Sequence, residues 1–424
     1  CMVSRIVATT SSLLVAMFTA TGSRPLITGA LAPEAATVVA EPEGTPLAPA
    51  LIPLSGDISL NISFDLREPE RRYLRYSLMH CDASWCPDNL MPIEFTHGFN
   101  EGRIDDYAYS QGTLTPYVNY RLSLPNDEVA PTVSGNYIVT VYDEEEPELP
   151  LLRVPFMVTE QSARVVASTT SRTDYDYNGA HQQLEVAVDL TGLDVRDPWN
   201  DLRVTVIPNG QPALGRTISR PLRVNGSVAT FAHVPELTFP AGKEYRRFET
   251  VATQRYLPMG VELVSFSEPY YHFKLYDDEP RAGRSYEYDR TQYGAFAVNA
   301  DNSNDPDTEA EYVMVHSSLD FPEQPEARIV IEGDLTGRRT DAASPGVMIF
   351  NRATNRYEKV LTLKQGSYNY RYLLVGNTDT TPLTGPVEGD DYRTSNRYDV
   401  AVYYRHPGER SDRLVGFTSI YSGI

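Results

Sequence analysis

The stretch Ile58-Ser-Leu-Asn-Ile-Ser-Phe-Asp-Leu66 decides the fold class, because apolar and polar residues alternate along it without a break. In an extended chain every second side chain points to the same face, so the five apolar residues lie together and the polar residues lie opposite. This pattern predicts a β-strand with one buried face.

Strand-like runs continue on the C-terminal side of this stretch, with turns between them. They cover residues 73–79, 118–124, 137–142 and 151–158, and Ser134-Gly135-Asn136 is a turn. Short strands at this spacing are typical of a β-sandwich. Residues 51–160 are therefore predicted to form an Ig-like sandwich.

Two more sets of strand-like runs follow, and each is predicted to form another sandwich. Residues 161–278 hold the first set and residues 279–424 the second, with a polar boundary at 277–283. The prediction is an all-β chain of three consecutive sandwich units, Ig-like or early-set. The predicted strands are 164–170, 184–190, 203–207, 228–234, 270–276, 312–319, 327–332, 347–351, 357–363, 367–375 and 398–405.

The composition indicates a folded, acidic protein and argues against nucleic acid as a partner. The 424 residues carry a formal net charge of −20, and nucleic-acid phosphates would repel such a chain. Tyrosine occurs 28 times and proline 31 times, which favours β-sandwiches over helical bundles.

The sequence contains no signature of catalysis. It lacks a Gly-x-Ser-x-Gly elbow, a phosphate-binding glycine loop and a His-Glu-x-x-His pair. Acidic runs that follow strands, such as residues 277–279, are predicted to be solvated turns. A hydrolase that uses the loop carboxylates Asp105 and Asp106 is the weaker alternative. We therefore predict a non-enzymatic protein without a metal or another cofactor.

Residues 1–50 are predicted to be a flexible tether, because they are rich in Ala, Thr, Pro, Ser and Glu and lack helical or strand periodicity. Residues 2–32 resemble a signal peptide, but Cys1 precedes them. A first cysteine is what lipoprotein processing leaves, so Cys1 is predicted to carry acyl chains that attach the protein to a membrane. The alternative is an accident of numbering.

The segment 79–126 lies between predicted strands and contains the other two cysteines, Cys81 and Cys86. They are five positions apart, and in an exported protein a disulfide is the favoured interpretation. Two thiols, or a zinc site that includes His80 and His97, are the alternatives. Adjacent residues on a strand point to opposite faces, which makes His80 and Cys81 a poor pair of ligands.

Aromatic and acidic residues of the same segment are predicted to form a partner-binding surface. Tyrosine and tryptophan supply the anchors of many protein interfaces. A small core within a long loop is equally consistent with the aromatic residues, and a solvated loop is the alternative for the two carboxylates. The candidate interface residues are Trp85, Phe95, Phe99, Asp105, Asp106, Tyr107 and Tyr109.

Alternating tyrosines after Gly366 support a second hypothesis about function. Tyr368, Tyr370 and Tyr372 would share one face of a strand, where their rings could stack on sugar rings. This face resembles the early-set sandwiches used in glycan binding, and it indicates a cell-envelope carbohydrate-binding lipoprotein. The alternative for the three rings is cross-strand packing.

Longer, irregular motifs carry a resemblance to a known family. HCDASW (80–85), GFNEGRIDDY (98–107), PYVNYRLSLPN (116–126) and SGNY (134–137) are similar to the N-terminal domain of the type IX secretion system plug protein of Bacteroidetes. YEKVLTLKQGSYNYRYLL (357–374), EGDDY (388–392) and RYDVAVYYRHPGERSDRLVGF (397–417) resemble a later domain of that family. The resemblance spans residues 51–424 and departs from the family at Cys86 and in the long N-terminus.

This resemblance implies a non-enzymatic plug. Such a protein binds the periplasmic side of the giant outer-membrane translocon barrel and closes its channel when the barrel is not engaged with its shuttle partner. It implies a location at the periplasmic face of the outer membrane, where the predicted acyl chains on Cys1 would anchor the protein. A peptidyl-prolyl isomerase is a further partner to consider.

Overall fold

The computed structural model describes residues 27–301 and 303–423, and it confirms the all-β prediction. Strands make up 46% of the chain and helices 5%. The strands form open sheets that pack in pairs around three separate apolar cores. Within the described residues, no helix has the length and apolar character needed to cross a membrane.

The first unit is a sandwich of two main sheets. One sheet has the order β1-β12-β11-β5-β7, with β3 parallel to β12, and the other has the order β2-β4-β9-β8. Its elements are β1 (Gly29–Ala30), β2 (Ala35–Pro42), β3 (Leu51–Pro53), β4 (Leu60–Leu66), β5 (Leu74–Cys81), α1 (Pro92–Phe95), β6 (Thr96–Gly98), β7 (Gly102–Ile104), β8 (Asp106–Tyr109), β9 (Val118–Leu124), β10 (Val129–Pro131), β11 (Gly135–Asp143) and β12 (Pro150–Thr159).

The alternating stretch at residues 58–66 contains β4, which lies at the centre of this unit. β4 pairs with β2 on one side and with β9 on the other, and its apolar face enters the core. Phe64 is fully buried and stacks on Tyr120, with 5.4 Å between the ring centroids. The alternation in the sequence thus predicted both the strand and its buried face.

The second unit begins after β12 and is also a sandwich. Its first sheet has the order β13-β14-β18-β17, with β19 paired to β14, and its second sheet starts with β16-β15. The elements are β13 (Arg164–Thr170), β14 (His181–Asp189), α2 (Pro198–Asp201), β15 (Leu202–Pro208), a 3₁₀ turn (Pro212–Leu214), β16 (Arg216–Ile218), β17 (Arg223–Asn225), β18 (Val228–Phe231), a 3₁₀ turn (Pro235–Leu237) and β19 (Thr238–Pro240).

The third unit follows before the second is complete. Its sheets have the orders β20-β28-β23, with β25 paired to β28, and β21-β22-β24-β27-β26. The elements are β20 (Arg246–Glu249), β21 (Val261–Ser267), β22 (Tyr270–Leu275), β23 (Phe296–Val298), α3 (Pro306–Glu309), β24 (Tyr312–Leu319), β25 (Ala327–Glu332), a 3₁₀ turn (Asp334–Thr336), β26 (Ile349–Asn351), β27 (Arg356–Lys364) and β28 (Gly366–Gly376).

The last two strands return to the second unit, which corrects the predicted boundaries. β29 (Arg397–Tyr404) pairs with β15, and β30 (Arg413–Tyr421) pairs with β29. Tyr398 and Val400 are therefore part of the second core, although the sequence placed residues 279–424 in one unit. Conversely, the sequence assigns β22 to the unit at residues 161–278, but its buried side chains belong to the third core. The pairing of β15 with β29 spans almost two hundred residues, so local periodicity carries no signal for it.

The predicted tether at residues 1–50 is wrong for its second half. β1 pairs with β12, and β2 pairs with β4 through a register shift between Ala36 and Val39. This shift breaks the alternation that marks a regular strand, which is why the sequence showed no strand period there. Residues 1–26, with Cys1, lie outside the described residues, and acylation of Cys1 remains a prediction.

Two joints attach the first unit to the others. The first–third joint is formed by Asp65, Asn119, Tyr312 and Lys364, which are buried. Lys364 Nζ lies 2.7 Å from Asp65 Oδ2, and Tyr312 OH donates to the same oxygen at 2.7 Å. Asn119 Nδ2 donates to Asp65 Oδ1 at 2.8 Å. Burial raises the pKa of Asp65, while the ion pair with Lys364 and the donated hydrogen bonds oppose that rise.

The first–second joint is formed by Ala83, Asn136, Glu160, Tyr403, Asp412 and Arg413. Arg413 Nε and Nη2 donate to the two carboxylate oxygens of Glu160 at 2.8 and 2.6 Å. Ala83 N donates to Asp412 Oδ2 at 2.9 Å. Each joint therefore contains an ion pair, Asp65 with Lys364 in one and Glu160 with Arg413 in the other, and further hydrogen bonds beside it.

Candidate partner-binding surface on the first unit

The arm comprises residues 82–101, between β5 and β7, and side chains hold both of its ends. Asp82 Oδ1 accepts hydrogen bonds from Ser84 N at 2.8 Å and from Cys86 N at 3.0 Å, which closes a tight turn. The buried His80 bonds through Nδ1 to Asp88 and through Nε2 to the Ser134 carbonyl at 3.1 Å. The arm is thus an ordered part of the sandwich.

The two cysteines lie buried at the base of the arm, and the Cys81–Cys86 disulfide stays a prediction. Burial, with the nearby carboxylates of Asp88 and Asp82, raises the pKa of the Cys81 thiol to about 12. A thiol with such a pKa reacts slowly near neutral pH. Oxidation of the pair in a cell envelope remains a prediction.

Trp85 does not face solvent as an isolated anchor. It occupies the turn at the base of the arm with a φ of 61°, and its half-buried ring packs on an apolar cluster with Ala83, Met157 and Tyr403. Tyr403 lies on β29, so this contact belongs to the first–second joint. The sequence identified Trp85 as a contact residue, but the structure places that contact within the chain.

Phe95 contradicts the interface prediction directly. It ends the short helix α1, is 4% exposed and belongs to the core of the first unit. Its ring meets Tyr137 edge to face, with 6.1 Å between centroids. In a helix of one turn there is no periodicity to show which face is buried, so the sequence could not distinguish Phe95 from a surface aromatic residue.

Phe99 is the exposed tip of the arm, with 88% of its surface accessible. Both neighbours hold it in place. Gly98 has a φ of 87°, and a Cβ there would lie 2.2 Å from the Glu128 carbonyl oxygen. Asn100 bonds through its side chain to both backbone groups of Leu78, at 3.0 and 2.7 Å. A large apolar side chain is therefore presented to solvent on a fixed backbone.

Two apolar residues of α1 and its approach were missed from the sequence. Ile93 is 84% exposed and Met91 is 64% exposed, within the same short segment as Phe99. The hydrogen bond from Met91 N to Glu94 Oε2 at 2.7 Å orders this turn. The signal that could have identified them is in the sequence, where Met91, Ile93 and Phe99 fall within nine positions around Pro92. We define Met91, Ile93 and Phe99 as the arm patch.

The other candidates lie along β8, at the edge of the sheet β2-β4-β9-β8. Asp105 and Asp106 are exposed, as is Tyr109. Tyr107 is half-buried, and its ring meets Tyr109 edge to face with 5.8 Å between centroids. An edge strand with two carboxylates is protected against unspecific strand pairing, yet its tyrosines remain accessible to a partner.

Arg71 organises this edge. Its Nη1 donates to Tyr107 OH at 2.5 Å, and its guanidinium lies 4.7 Å from the Tyr107 ring and 4.6 Å from the Tyr73 ring. A planar cation between two tyrosines fixes both rings at low entropic cost. The structure therefore brings Asp105, Asp106, Tyr107 and Tyr109 together on one edge, and it places Phe99 on the separate arm patch.

The tyrosines of the sugar-binding hypothesis are in the third core. Tyr368, Tyr370 and Tyr372 are each no more than 5% exposed. Tyr370 OH and Tyr372 OH both donate to Asp278 Oδ2 at 2.7 Å. Buried rings cannot stack on a sugar, so the carbohydrate hypothesis is not favoured, and the packing interpretation explains the alternation.

The described part of the chain holds no group of three or more His, Cys, Asp or Glu side chains arranged for a metal ion. His80, the central member of the predicted zinc alternative, uses both ring nitrogens for protein partners. The exposed side chains of the arm and of β8 offer apolar contact, aromatic contact and hydrogen bonding. The described residues form three packed β-sandwiches, and the first of them presents the arm patch and the β8 edge to solvent.

Comparison with known proteins identifies the family. Residues 35–160 match the family model of the type 9 secretion system plug protein 1st domain. This match supports a plug-like role in type IX secretion and a place in the cell envelope, and the matched family is a structural component of secretion.

One solved structure is similar to most of the chain. The crystal structure of a hypothetical protein from Parabacteroides merdae is 36% identical, with a TM-score of 0.92 over 94% of this chain and 100% of that chain. This protein and the present chain belong to one family. A Pseudomonas fluorescens alkylpurine DNA glycosylase, 13% identical over 30% of each chain, has a TM-score of 0.18 and carries no argument. No curated protein matches the sequence.

Proposed function

We propose that this protein is the plug subunit of a type IX secretion system, which binds the periplasmic side of the outer-membrane translocon barrel and seals its channel between rounds of export. The observation that carries the proposal is the family match over residues 35–160, the unit that presents the arm patch and the β8 edge. Its partner is the barrel, and a peptidyl-prolyl isomerase is a further candidate in the assembly.

Rigidity supports a sealing role. A channel wide enough for folded proteins would leak unless a body of fixed shape covers it. The first unit is fixed to the third by the buried contact of Asp65 with Lys364, and to the second by the contact of Glu160 with Arg413. A body with such joints can transmit a contact made by one unit to the position of the others.

The arm patch is the surface that we assign to the barrel. Exposed apolar side chains on an ordered backbone lose little conformational entropy on binding, which favours a role as interface anchors. We expect Phe99→Asp to weaken co-purification of the barrel by about tenfold or more, the scale of an interface hot spot. The fold should survive, because Phe99 contacts solvent and not the core.

Phe266→Asp is the matched control, because Phe266 is also an exposed phenylalanine but lies on β21 of the third unit. The readouts are the amount of barrel recovered with affinity-purified plug from membranes and the permeability of the outer membrane to a large antibiotic. Equal recovery of the barrel with both variants would refute the role of the arm patch. Unchanged permeability in a strain without the protein, and no barrel with the unaltered protein, would refute the plug function itself.

A further inference from the structure

A cavity of about 960 Å³ lies where the three units meet. Its walls include residues 28–41 and β12 of the first unit, Gly210 and Arg397 of the second, and the 3₁₀ turn at Asp334–Thr336 with β27 of the third. This volume is in the range of cavities that hold small molecules.

The charge of the cavity is opposite to that of the chain. Seven basic and three acidic side chains line it, within a protein whose formal net charge is −20. A concentration of positive charge in a concave site attracts anions more strongly than the same charges on an open surface. The basic residues are Arg67, Arg153, Arg338, Arg339, Lys359, Lys364 and Arg397, and the acidic residues are Glu41, Asp334 and Asp399.

Buried donors in this lining lack acceptors among the described residues. The Nε atoms of Arg67, Arg153 and Arg397 are inaccessible and have no hydrogen-bond partner. Arg397 is only 8% exposed, and its other guanidinium nitrogens reach Asp399 at 3.1 Å and the Leu47 carbonyl at 3.4 Å. Buried polar groups in folded proteins are normally paired, so these three donors show that the basic lining of the cavity is incompletely satisfied by the described residues.

Arg153 and Lys359 supply unpaired charge. Neither Arg153 nor Lys359 has a side-chain hydrogen bond or an ion pair to any described residue. Other cations of the lining are paired: Arg338 with Asp334 and Lys364 with Asp65. Burial lowers the pKa of Lys359, as expected for an ammonium group without a counter-charge. An anion bound in the cavity could give either of them the missing partner.

The rest of the lining is apolar. It combines the small side chains of the N-terminal segment with larger ones from all three units, so a fully polar anion would leave much of the wall without a partner. A ligand with a hydrocarbon part and an anionic end would match both parts of the cavity. The larger apolar lining residues are Val38, Ile138, Val154, Phe156, Met157, Ile207, Phe296, Leu335, Leu361 and Leu363.

We propose that the cavity binds an amphiphilic anion, an aliphatic chain with a carboxylate or phosphate head, and that Arg153, Lys359 and Arg397 receive the head. The hydrocarbon chain lies along the apolar wall. Because segments of all three units form the walls, the bound ligand contacts each of them. This inference is independent of the proposed plug function.

Dodecanoate, dodecyl phosphate and dodecanol test the proposal by calorimetry with the full chain, each below the concentration at which it forms micelles. We expect dodecanol to bind about tenfold more weakly than the tighter of the two anions, since charge-assisted hydrogen bonds are roughly twice as strong as neutral ones. The two anions distinguish a carboxylate from a phosphate head. Binding of neither anion, or equal binding of dodecanol, would overturn the proposal.

Arg153→Met assigns the site within the chain. Arg153 has no hydrogen bond to the described residues, so its loss should leave thermal stability close to that of the unaltered protein and weaken anion binding about tenfold. Arg220→Met is the control, because Arg220 is exposed and lies outside the cavity. Lys359→Met provides a second variant in case Arg153→Met does not fold. Unchanged anion affinity in a folded variant of either cavity residue would place the ligand elsewhere.

Discussion

The two joints of the first unit each contain a charged pair between units, but the surroundings of the two pairs differ. In the first–third joint, Asp65 and Lys364 are at most 1% exposed, and two further side chains donate to the carboxylate. In the first–second joint, a third of the Arg413 side chain is exposed, although Glu160 is more protected. The first contact is isolated from water, and the second remains within reach of water and salt.

This difference decides what each charged pair contributes. A buried pair adds little net stability over an apolar substitute, but removal of one partner leaves a charge without solvent or counter-ion. When one partner of a half-exposed pair is removed, the protein loses little stability, because water solvates the other partner. We therefore expect removal of one charge to destabilise the first–third joint strongly. Salt and acid should weaken the first–second joint gradually.

The largest effect is expected for Lys364→Met, which leaves Asp65 buried without its cation. We expect a loss of about 3–5 kcal/mol in the free energy of unfolding, as for other broken buried pairs. Urea denaturation followed by fluorescence measures it. Lys274→Met is the control, since Lys274 pairs with Glu262 on the surface and its loss should cost less than about 1 kcal/mol. Equal costs for the two variants would contradict the distinction.

An intermediate effect is expected for Asp412→Asn in the first–second joint. Asp412 is 2% exposed, and its carboxylate accepts from Ala83 N at 2.9 Å, Arg405 Nε at 2.8 Å and Arg203 Nη1 at 3.0 Å. In Asp412→Asn an NH₂ group would replace one of the accepting oxygens and would face the same three N–H donors. We expect this to lower the free energy of unfolding by about 1–3 kcal/mol. Faster hydrogen exchange at Ala83 would locate the effect at the joint, and protection equal to that of the unaltered protein would exclude it.

The smallest effect is expected for Glu160→Gln, and it depends on pH. Burial opposes ionisation of Glu160, but hydrogen bonds from Arg413 and Ser134 outweigh it and lower the pKa of Glu160 below its ordinary value. A lowered carboxyl pKa stabilises the folded state above the unfolded-state pKa of about 4.3, and this stabilisation disappears as the pH falls through the folded-state pKa.

Thermal unfolding of the unaltered protein and of Glu160→Gln at several pH values tests this linkage. The two curves should differ by about 1 kcal/mol or less near pH 7, and they should converge in acid once Glu160 is protonated. High salt should reduce the difference at neutral pH. A gap that stays constant down to pH 3 would show that the variant acts through packing and not through charge.

Local pattern predicted much of the fold. The alternation at 58–66 gave β4 with its buried face, and similar runs gave β11, β12, β24 and β28 close to their observed positions. Strand partners were harder, because hydrogen bonding between distant strands leaves no periodic trace. β15 and β29 each resemble an ordinary buried strand, and neither identifies the other as its neighbour.

The candidate surface was predicted less well than the fold. Phe95 and Phe99 are equally aromatic and four positions apart, yet one is in the core and the other is the most exposed residue of the arm patch. Their difference arises from the contacts of Gly98 and Asn100, which are tertiary. The pairing of Asp65 with Lys364 is also tertiary, since the two residues lie 299 positions apart, and the sequence does not predict it.

The third unit interrupts the second, and this fixes an order of assembly. As the chain leaves the ribosome or a translocation pore, β15 can pair with β16 but lacks its second neighbour until β29 has emerged more than 180 positions later. The inserted unit has its own core and can fold first, while the middle of the molecule waits for the end of the chain. A premature stop before Arg397 would therefore leave both ends of the remaining chain with complete cores and open the sandwich between them.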